Sequence, residues 1–525
     1  MQLRINSPDR TRSGWMGDLS LEAVWSRYQR AKDRRLRWEG LWRDCYTYVL
    51  PHRGAGFGAE FAPGRNHAER TFDGTAPDAV EQLAASLLAE LTPPWSQWFG
   101  LVPGPQVHSF ERGILAERLD QVSLTIQAHF DRSNFAAEIH QAFLDLVSIG
   151  SATLLFEEAP IGDLSAFRLT AVPMAEMWFE PGLNGQISGH FRQSALPMEA
   201  LCARFPEAEL PRSLLDECRR HKERHLEVVE GVLPAGTGYH YLAMLHHGTD
   251  QPLLLAQGRF DSSPFISFRW LKGAGEVYGR SPVMTVLPDI KTVNKVVELV
   301  LKNASISVTG IWQADDDGVL NPANIQLVPG SIIPKAVGSA GLTPLQAPGR
   351  FDVSSLMLEE LRGRIRHALL VDRLGAIGSR KMTATEVLER SAEMTRLLGA
   401  TYGRLQAELL TPLLGRAMGI LRRRGEIPDL ALDGRLVDLH YKSPLARQQA
   451  QQDVQSTLLW LETTAKMGAE ALAAVDLPAT ARWLGDRLGV PGQLIRDIES
   501  PSALLDLAED LVAVRPEVTE AADGQ

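Results

Sequence analysis

Chemistry in this chain would have to come from a few small clusters of side chains. Gly375-Ala376-Ile377-Gly378-Ser379-Arg380-Lys381 has the glycines and bases that could cradle a phosphate. A P-loop, however, needs Gly-Lys followed directly by Ser or Thr, after a strand and before a helix. Here Lys381 is followed by Met382, and no strand precedes the segment, so it reads as a basic loop between two helices. His240, His246 and His247 lie within YHYLAMLHHG. On a strand His240 and His246 share one face and His247 takes the other. No HExxH or His-x-His partner supplies the further ligands that zinc requires. Asp315-Asp316-Asp317-Gly318 suggests calcium, but no glutamate follows at the spacing of an EF-hand loop. A solvated acidic turn is the reading that remains. There is no GxSxG elbow, and Cys45 sits on an apolar helix face, where a buried thiol is expected. Trp38, Trp42, Trp95 and Trp98 lie among leucines and prolines without interleaved bases, which suits core anchors better than base-stacking platforms. No catalytic set emerges, and neither a metal nor a cofactor is expected.

Bulk properties narrow the class. Lys plus Arg number 54 against 64 Asp plus Glu, a formal charge of −10 over 525 residues. Hydrophobic residues at 44% and charged residues at 22% match an ordinary globular protein, which excludes wholesale disorder, collagen and a coiled-coil rod. Three cysteines without a CxxC pair argue against a disulfide scaffold and fit a reducing compartment. No run of about 18 uncharged apolar residues predicts a membrane span, and MQLRINSPDRTRSGW has no apolar segment of a secretory signal. The acidic balance argues against a basic DNA-coating protein but leaves room for a local patch.

The elements that would position these residues form an α+β, predominantly helical chain. Residues 1–17 read as a loose arm. Helices follow over about 18–49, from Thr75 (read as the cap) to about 91, then 109–132 and 135–149. Trp38, Leu41, Trp42, Cys45 and Val49 share one face of the first. The pattern then changes to strands at 152–158, 167–172, 185–194, 225–233, 239–247, 252–257 and 264–270, with short helices near 197–204 and 211–222. Asn184-Gly185 is a hairpin-turn signal.

A helix over 282–308 carries Val293, Val296, Val297, Val300 and Ala304 on one face, and Lys291, Lys295, Glu298 and Lys302 on another. Residues 309–350 are rich in Gly and Pro with short β-like pieces. A return helix covers 352–371. Thr383 and Glu386 form a capping box for a long helix to Arg424, in which Pro412 should produce a kink. A strand at Val437–Tyr441 and helices over 445–513, separated by Pro478, Pro491 and Pro501, complete the chain. The acidic residues 514–525 read as a tail.

The order of these elements, with a set of short strings, resembles phage portal proteins, the head-to-tail connectors, and above all those of short-tailed phages. The strings are Trp38-Glu39-Gly40-Leu41-Trp42-Arg43-Asp44-Cys45-Tyr46 with Leu50-Pro51, then Phe72-Asp73-Gly74-Thr75-Ala76 and Pro93-Pro94-Trp95-Ser96-Gln97-Trp98-Phe99. They continue with Tyr278-Gly279-Arg280-Ser281-Pro282, Met382-Thr383-Ala384-Thr385-Glu386-Val387 and Leu409-Leu410-Thr411-Pro412-Leu413. The likeness spans about 20–500.

The resemblance implies a non-enzymatic ring subunit, usually one of twelve, at a single capsid vertex of the virion, assembled in the host bacterial cytoplasm. Residues 18–281 would be the wing, helical over 18–150 and β-rich over 151–281, completed by 383–445. Residues 282–308 and 352–371 would be stem helices, 309–351 the clip, 372–382 a tunnel loop and 446–513 a helical crown. Double-stranded DNA would pass without sequence specificity. Implied partners are terminase, tail adaptors, and the major capsid and scaffold proteins, with no membrane.

Ser379, Arg380 and Lys381 would face DNA, with Lys291, Lys295 and Lys302 as second candidates. Ion pairs of these lysines with Glu359 and Glu360 of neighbouring stem helices are the competing expectation. Arg362, Arg364 and Arg366 cannot all face one way on a helix. Trp312, Asp315, Asp316, Asp317 and Lys335 would dock clip partners. The charge fits such a pore, because roughly −120 on a ring of about twelve avoids adhesion to a sliding polyanion. Two other readings are a pore-less head–tail adaptor or internal head protein, and an enzyme with a polar pocket the sequence does not advertise.

Overall fold

A computed structural model gives the architecture. It describes residues 20–53, 57, 71–94, 96–107, 109–183, 185–220, 225–246, 252–309, 312–313, 343–344, 351–371, 399, 401–429, 434–442, 444–468, 471, 474–488 and 490. The fold is mixed α+β and mostly helical, as the sequence pattern predicts.

Helix α1 (Leu21–Val49) starts where the Ser20 hydroxyl accepts the Ala23 amide, a normal N-cap. Its buried stripe runs from Val24 and Tyr28 through Ala31 and Arg35 to Trp42, Cys45, Tyr46 and Val49. Arg35 is the unexpected member. Its guanidinium lies 3.9 Å from the Trp178 ring centroid, and donates to the carbonyls of Met174, Ala175 and Met177. A buried cation is tolerated there because hydrogen-bond acceptors surround it.

Helix α2 (Thr75–Leu91) buries Val80, Leu83, Ala84 and Leu87 in the same core as α1. Thr75 is its first helical residue rather than its cap. Gly74 holds the cap position, and the Asp73 carboxylate accepts the Thr75 amide at 3.0 Å. Strand β1 (Phe99–Pro103) leads to α3 (Ser109–Arg132) and α4 (Phe135–Ile149). Gly150 closes α4 at φ 80°, and a Cβ there would meet the backbone of Gly279 and Arg280 at 2.5–2.7 Å, so only glycine fits.

Two antiparallel sheets follow. Strands β2 (Ser151–Glu158), β3 (Phe167–Val172) and β9 (Phe265–Arg269) form one, in the order β3-β2-β9. The other is a meander of β4 (Met177–Pro181), β5 (Ile187–Pro197), β6 (His225–Ala235), β7 (Gly238–His246) and β8 (Leu253–Phe260). Helices α5 (Met198–Arg204) and α6 (Arg212–Arg220) bridge β5 and β6. Sequence pattern places most of these strands but misses β4 and β1. It also starts β5 two residues early, because Gly185 sits in the turn at φ 69°. Asn184 lies outside the described residues.

Helix α7 (Pro282–Thr309) leads to a two-residue antiparallel pair, β10 (Trp312–Gln313) with β11 (Thr343–Pro344), and α8 (Phe351–Ala368) returns. Further on, helical residues 401–405 enter a wide π-helical turn, Gln406–Leu410, and then α9 (Thr411–Arg424). Proline at 412 has no amide to offer a carbonyl four residues back. The ladder shifts, and the Thr411 amide bonds Gln406 O, five residues away. The expected kink is therefore a π-bulge. The capping box at Thr383 lies outside the described residues.

Gly425 ends α9 at φ 73°. Strand β12 (Val437–Tyr441) returns to pair with β1, Phe99 opposite Tyr441. Helices α10 (Pro444–Lys466) and α11 (Leu477–Leu488) pack together. Pro478 sits in the first turn of α11 rather than between helices. Among the described residues no helix is long and apolar enough to cross a membrane.

One core runs through α1, α2, α4, the β2–β3–β9 sheet, α7 and α9. Trp42 and Trp98 are fully buried in it, Trp38 partly, as core anchors should be; Trp95 lies outside the described residues. Cys45 is fully buried, and burial pushes its thiol up to about 12. His190 on β5 is buried beside Phe179 and Phe265, with neither ring nitrogen hydrogen-bonded. Burial lowers it to about 4.

A histidine depressed in the folded state adds stability that is complete above its unfolded value near 6.5 and is lost as pH falls toward 4. His190→Leu is expected to flatten that loss, worth at most about 3 kcal/mol. Thermal midpoints of both proteins across the range from neutral to mildly acid pH check it. Parallel curves would contradict it.

Candidate functional site

Within the α7–α8 pair the first half of α7 is core. Val283, Val286, Leu287, Ile290 and Val293 are buried, and Leu361 and Ile365 of α8 join them. Beyond Asn294 no described side chain of α7 is buried, and Leu299 and Leu301 are each 53% exposed. The pair thus projects from the body as an antiparallel hairpin, with β10–β11 where the chain passes between the helices.

Hydrogen bonds join this hairpin to the turn before α2. Asn294 of α7 accepts the amides of Phe72 and Asp73, at 2.6 and 3.2 Å. Arg362 of α8 donates to Asp73 at 2.7 and 3.0 Å. Asp73 therefore joins the turn before α2 to both helices. Burial alone would raise its carboxyl, but hydrogen bonds from Thr75 and Arg362 outweigh it and hold the group below the ordinary carboxylate range. Arg364 pairs with Asp289 across the two helices at 2.9 Å.

Each lysine of the α7 basic stripe has an acid within its own chain. Lys291 pairs with Asp44 of α1 at 2.6 Å. Lys295 and Lys302 both reach Glu298, at 3.0 and 2.6 Å. Those two hydrogen bonds hold the Glu298 carboxyl below its ordinary range. The sequence-level expectation of pairing with Glu359 and Glu360 is not met inside the subunit: Glu359 bonds Arg366 at 2.9 Å. The reason is geometric, since residues three and four apart on one helix meet more readily than residues on facing helices. Lys295 and Lys302 are 62% and 65% exposed and still present charge to solvent. Arg362, Arg364 and Arg366 go to Asp73, Asp289 and Glu359, three separate partners, as the helical spacing requires.

A groove of about 540 Å³ runs between the two helices, lined by Thr285, Asp289, Glu360, Gly363, Arg364 and His367. Its shape was not legible in the sequence, although Glu360 and His367 lie seven residues apart on one helical face.

Arg269 of β9, 2% exposed, makes a second feature invisible in the sequence. It grips Glu408 in the π-turn through two bonds of 3.1 and 2.6 Å, and donates to the carbonyls of Val277 and Gly185. The partners lie 139 residues apart, so no local pattern could couple them. This clamp fixes the long helix just before α9.

Of the other sequence-derived candidates, Trp312 begins the β10–β11 pair, opposite Pro344. Ser379, Arg380, Lys381, Asp315, Asp316, Asp317 and Lys335 lie outside the described residues. His240 is half-buried and His246 exposed on β7, and His246 stacks on Trp25; His247 lies outside the described residues.

The family described as bacteriophage head to tail connecting protein matches residues 21–495. A protein named "probable portal protein" from Bordetella phage BPP-1 is 24% identical over 90% of this chain and 88% of its own length. The portal protein of Salmonella phage epsilon15 is 22% identical over 91% of this chain and 89% of its own. That of Escherichia phage T7 is 21% identical over 78% and 76%. A chain from the neck of a native gene transfer agent particle superposes with a TM-score of 0.35 at 14% identity, covering 78% of this chain and 91% of that one, too loose a likeness to place one element on another.

Proposed function

Because the chain belongs to the bacteriophage head-to-tail connecting protein family, we propose that it is a portal subunit, one copy of a ring at a capsid vertex through which double-stranded DNA enters and leaves. The observation that carries this reading is likeness to portal proteins along about nine-tenths of the chain. The projecting α7–α8 hairpin supports a stem beside the channel, residues 309–351 a clip that meets terminase and then tail adaptors, and the remainder a wing and crown. Its place is the virion, and its role is structural rather than enzymatic.

Charge placement suits passage without capture. Lys295 and Lys302 share one carboxylate, so that stripe is only weakly positive. Weak, few contacts let a polyanion slide, whereas many phosphate contacts would hold it. Arg380, Lys381 and Ser379 in the loop 372–382 are the first candidates to touch DNA, and the stem lysines the second. Trp312, the acidic run 315–317 and Lys335 are candidates for docking clip partners.

The test is the mass of the purified protein in solution, with negative-stain images of the same fraction. A ring of about twelve copies with a central hole is expected. A compact dimer that stays closed even with scaffold and capsid proteins would favour a pore-less adaptor instead. For the loop, Arg380→Ala with Lys381→Ala should leave ring assembly intact while lowering DNA retention severalfold, read as packaged genome per particle. Full retention would remove the loop from the DNA path.

A further inference from the structure

The two flanks of α7 are chemically opposite, and we propose that they meet between adjacent copies, with Lys295 of one subunit seated on Glu360 of the next. At about 100° per residue, the stripe Val283, Val286, Ile290 and Val293 faces the core. Thr285 and Asp289 fall on one side of it, and Lys291, Lys295 and Lys302 on the other. The first flank opens into the groove that holds Glu360; the second is the lysine stripe.

Glu360 has no ion pair among the described residues, although Asp289 beside it is matched by Arg364 and Glu359 by Arg366. The groove thus holds one uncompensated carboxylate. Lys295, 62% exposed, spends one hydrogen bond on Glu298 and keeps further donors for a second acid.

Register supports the match. The Asp289–Arg364 pair aligns the antiparallel helices. Four residues back along α8, Glu360 comes level with about residue 293 of α7, within about 3 Å of the height of Lys295. A closed ring repeats each residue at one height, so the lysine of one copy reaches the carboxylate of the next without axial sliding. Two different patches in contact make a heterologous interface, the kind that closes into rings. Lys291 is the weaker partner because Asp44 already holds it.

The inference rests on the ring reading, so the experiment separates the two. Lys295→Glu and Glu360→Lys would each be purified and the ring fraction measured by light scattering and negative stain. Each single reversal should cut that fraction about tenfold, as like charges across an interface do. The double variant should return to within about twofold of the natural protein. An equimolar mixture of the two single variants should also form rings, of alternating copies. In that arrangement every contact between positions 295 and 360 again joins one acid to one base. Circular dichroism of the unassembled variants shows whether they fold. Single variants that assemble normally, or a double variant and mixture that both fail, would overturn the contact while leaving the ring intact. If the natural protein forms no ring under any condition, both readings fall.

Discussion

Replacing Arg269 by alanine is expected to destabilise the folded subunit by about 3–5 kcal/mol. The size follows from what stays behind. Glu408 would keep its place in the π-turn without the two guanidinium bonds that neutralise it, and the Val277 and Gly185 carbonyls would lose their donor. A buried ion pair contributes little net stability when made, because both charges lose water, but breaking one side leaves an uncompensated charge. Arg269→Met with Glu408→Leu should therefore recover most of the loss.

Amide exchange at 265–269 and 401–411 is the measurement of choice, since a chain of this size need not unfold in one step. Protection should collapse in the single variant and return in the double. Equal protection in all three proteins would mean that the clamp contributes nothing.

Trp42→Ala should cost a similar amount, about 3–5 kcal/mol. Trp42 is fully buried, edge-on to Tyr278 at 4.9 Å between centroids and to Phe57 at 5.7 Å. Tyr278 in turn accepts the Phe179 amide through its hydroxyl at 3.2 Å. The cavity would therefore loosen the junction of α1, the five-stranded sheet and the turn that leads into α7. Trp42→Phe keeps an aromatic face and should restore more than half. Chemical denaturation followed by circular dichroism gives the comparison, and an alanine variant as resistant as the natural protein would show that the site collapses without penalty.

Helices were legible in the sequence because their apolar stripes are long. The face of Trp42, Cys45 and Val49 is buried as spaced, and 109–132 and 135–149 match α3 and α4 residue for residue. Strands β1 and β4 were not, and β1 shows why. Five residues, FGLVP, carry no alternation, and their order depends on a partner strand at 437–441. At the site, sequence placed the lysine stripe on one face of α7 correctly but did not show the acids that it meets within its own subunit. The Asp44 and Glu298 pairings depend on how α1 packs and on local helix spacing. The Asp73 junction was visible only as part of a family string; its chemistry emerges once α7 and α8 bring Asn294 and Arg362 to the same turn.

The π-turn at Gln406–Leu410 has a bearing on how this helix tolerates changes in chain length. A π-turn carries one residue more than the α-helical path between the same two ends. The apolar stripe before it, with Tyr402 and Leu405, and the stripe after it, with Leu413, Ala417 and Leu421, are both buried. Anywhere else along the helix, loss of one residue would rotate one stripe about 100° away from its partner surface. Within this turn the same loss would close the ladder to ordinary spacing and keep both stripes in phase, provided that Pro412 were replaced by a residue with an amide and Glu408 stayed. The turn is thus a built-in site for single-residue deletion in a helix that is otherwise locked to its length.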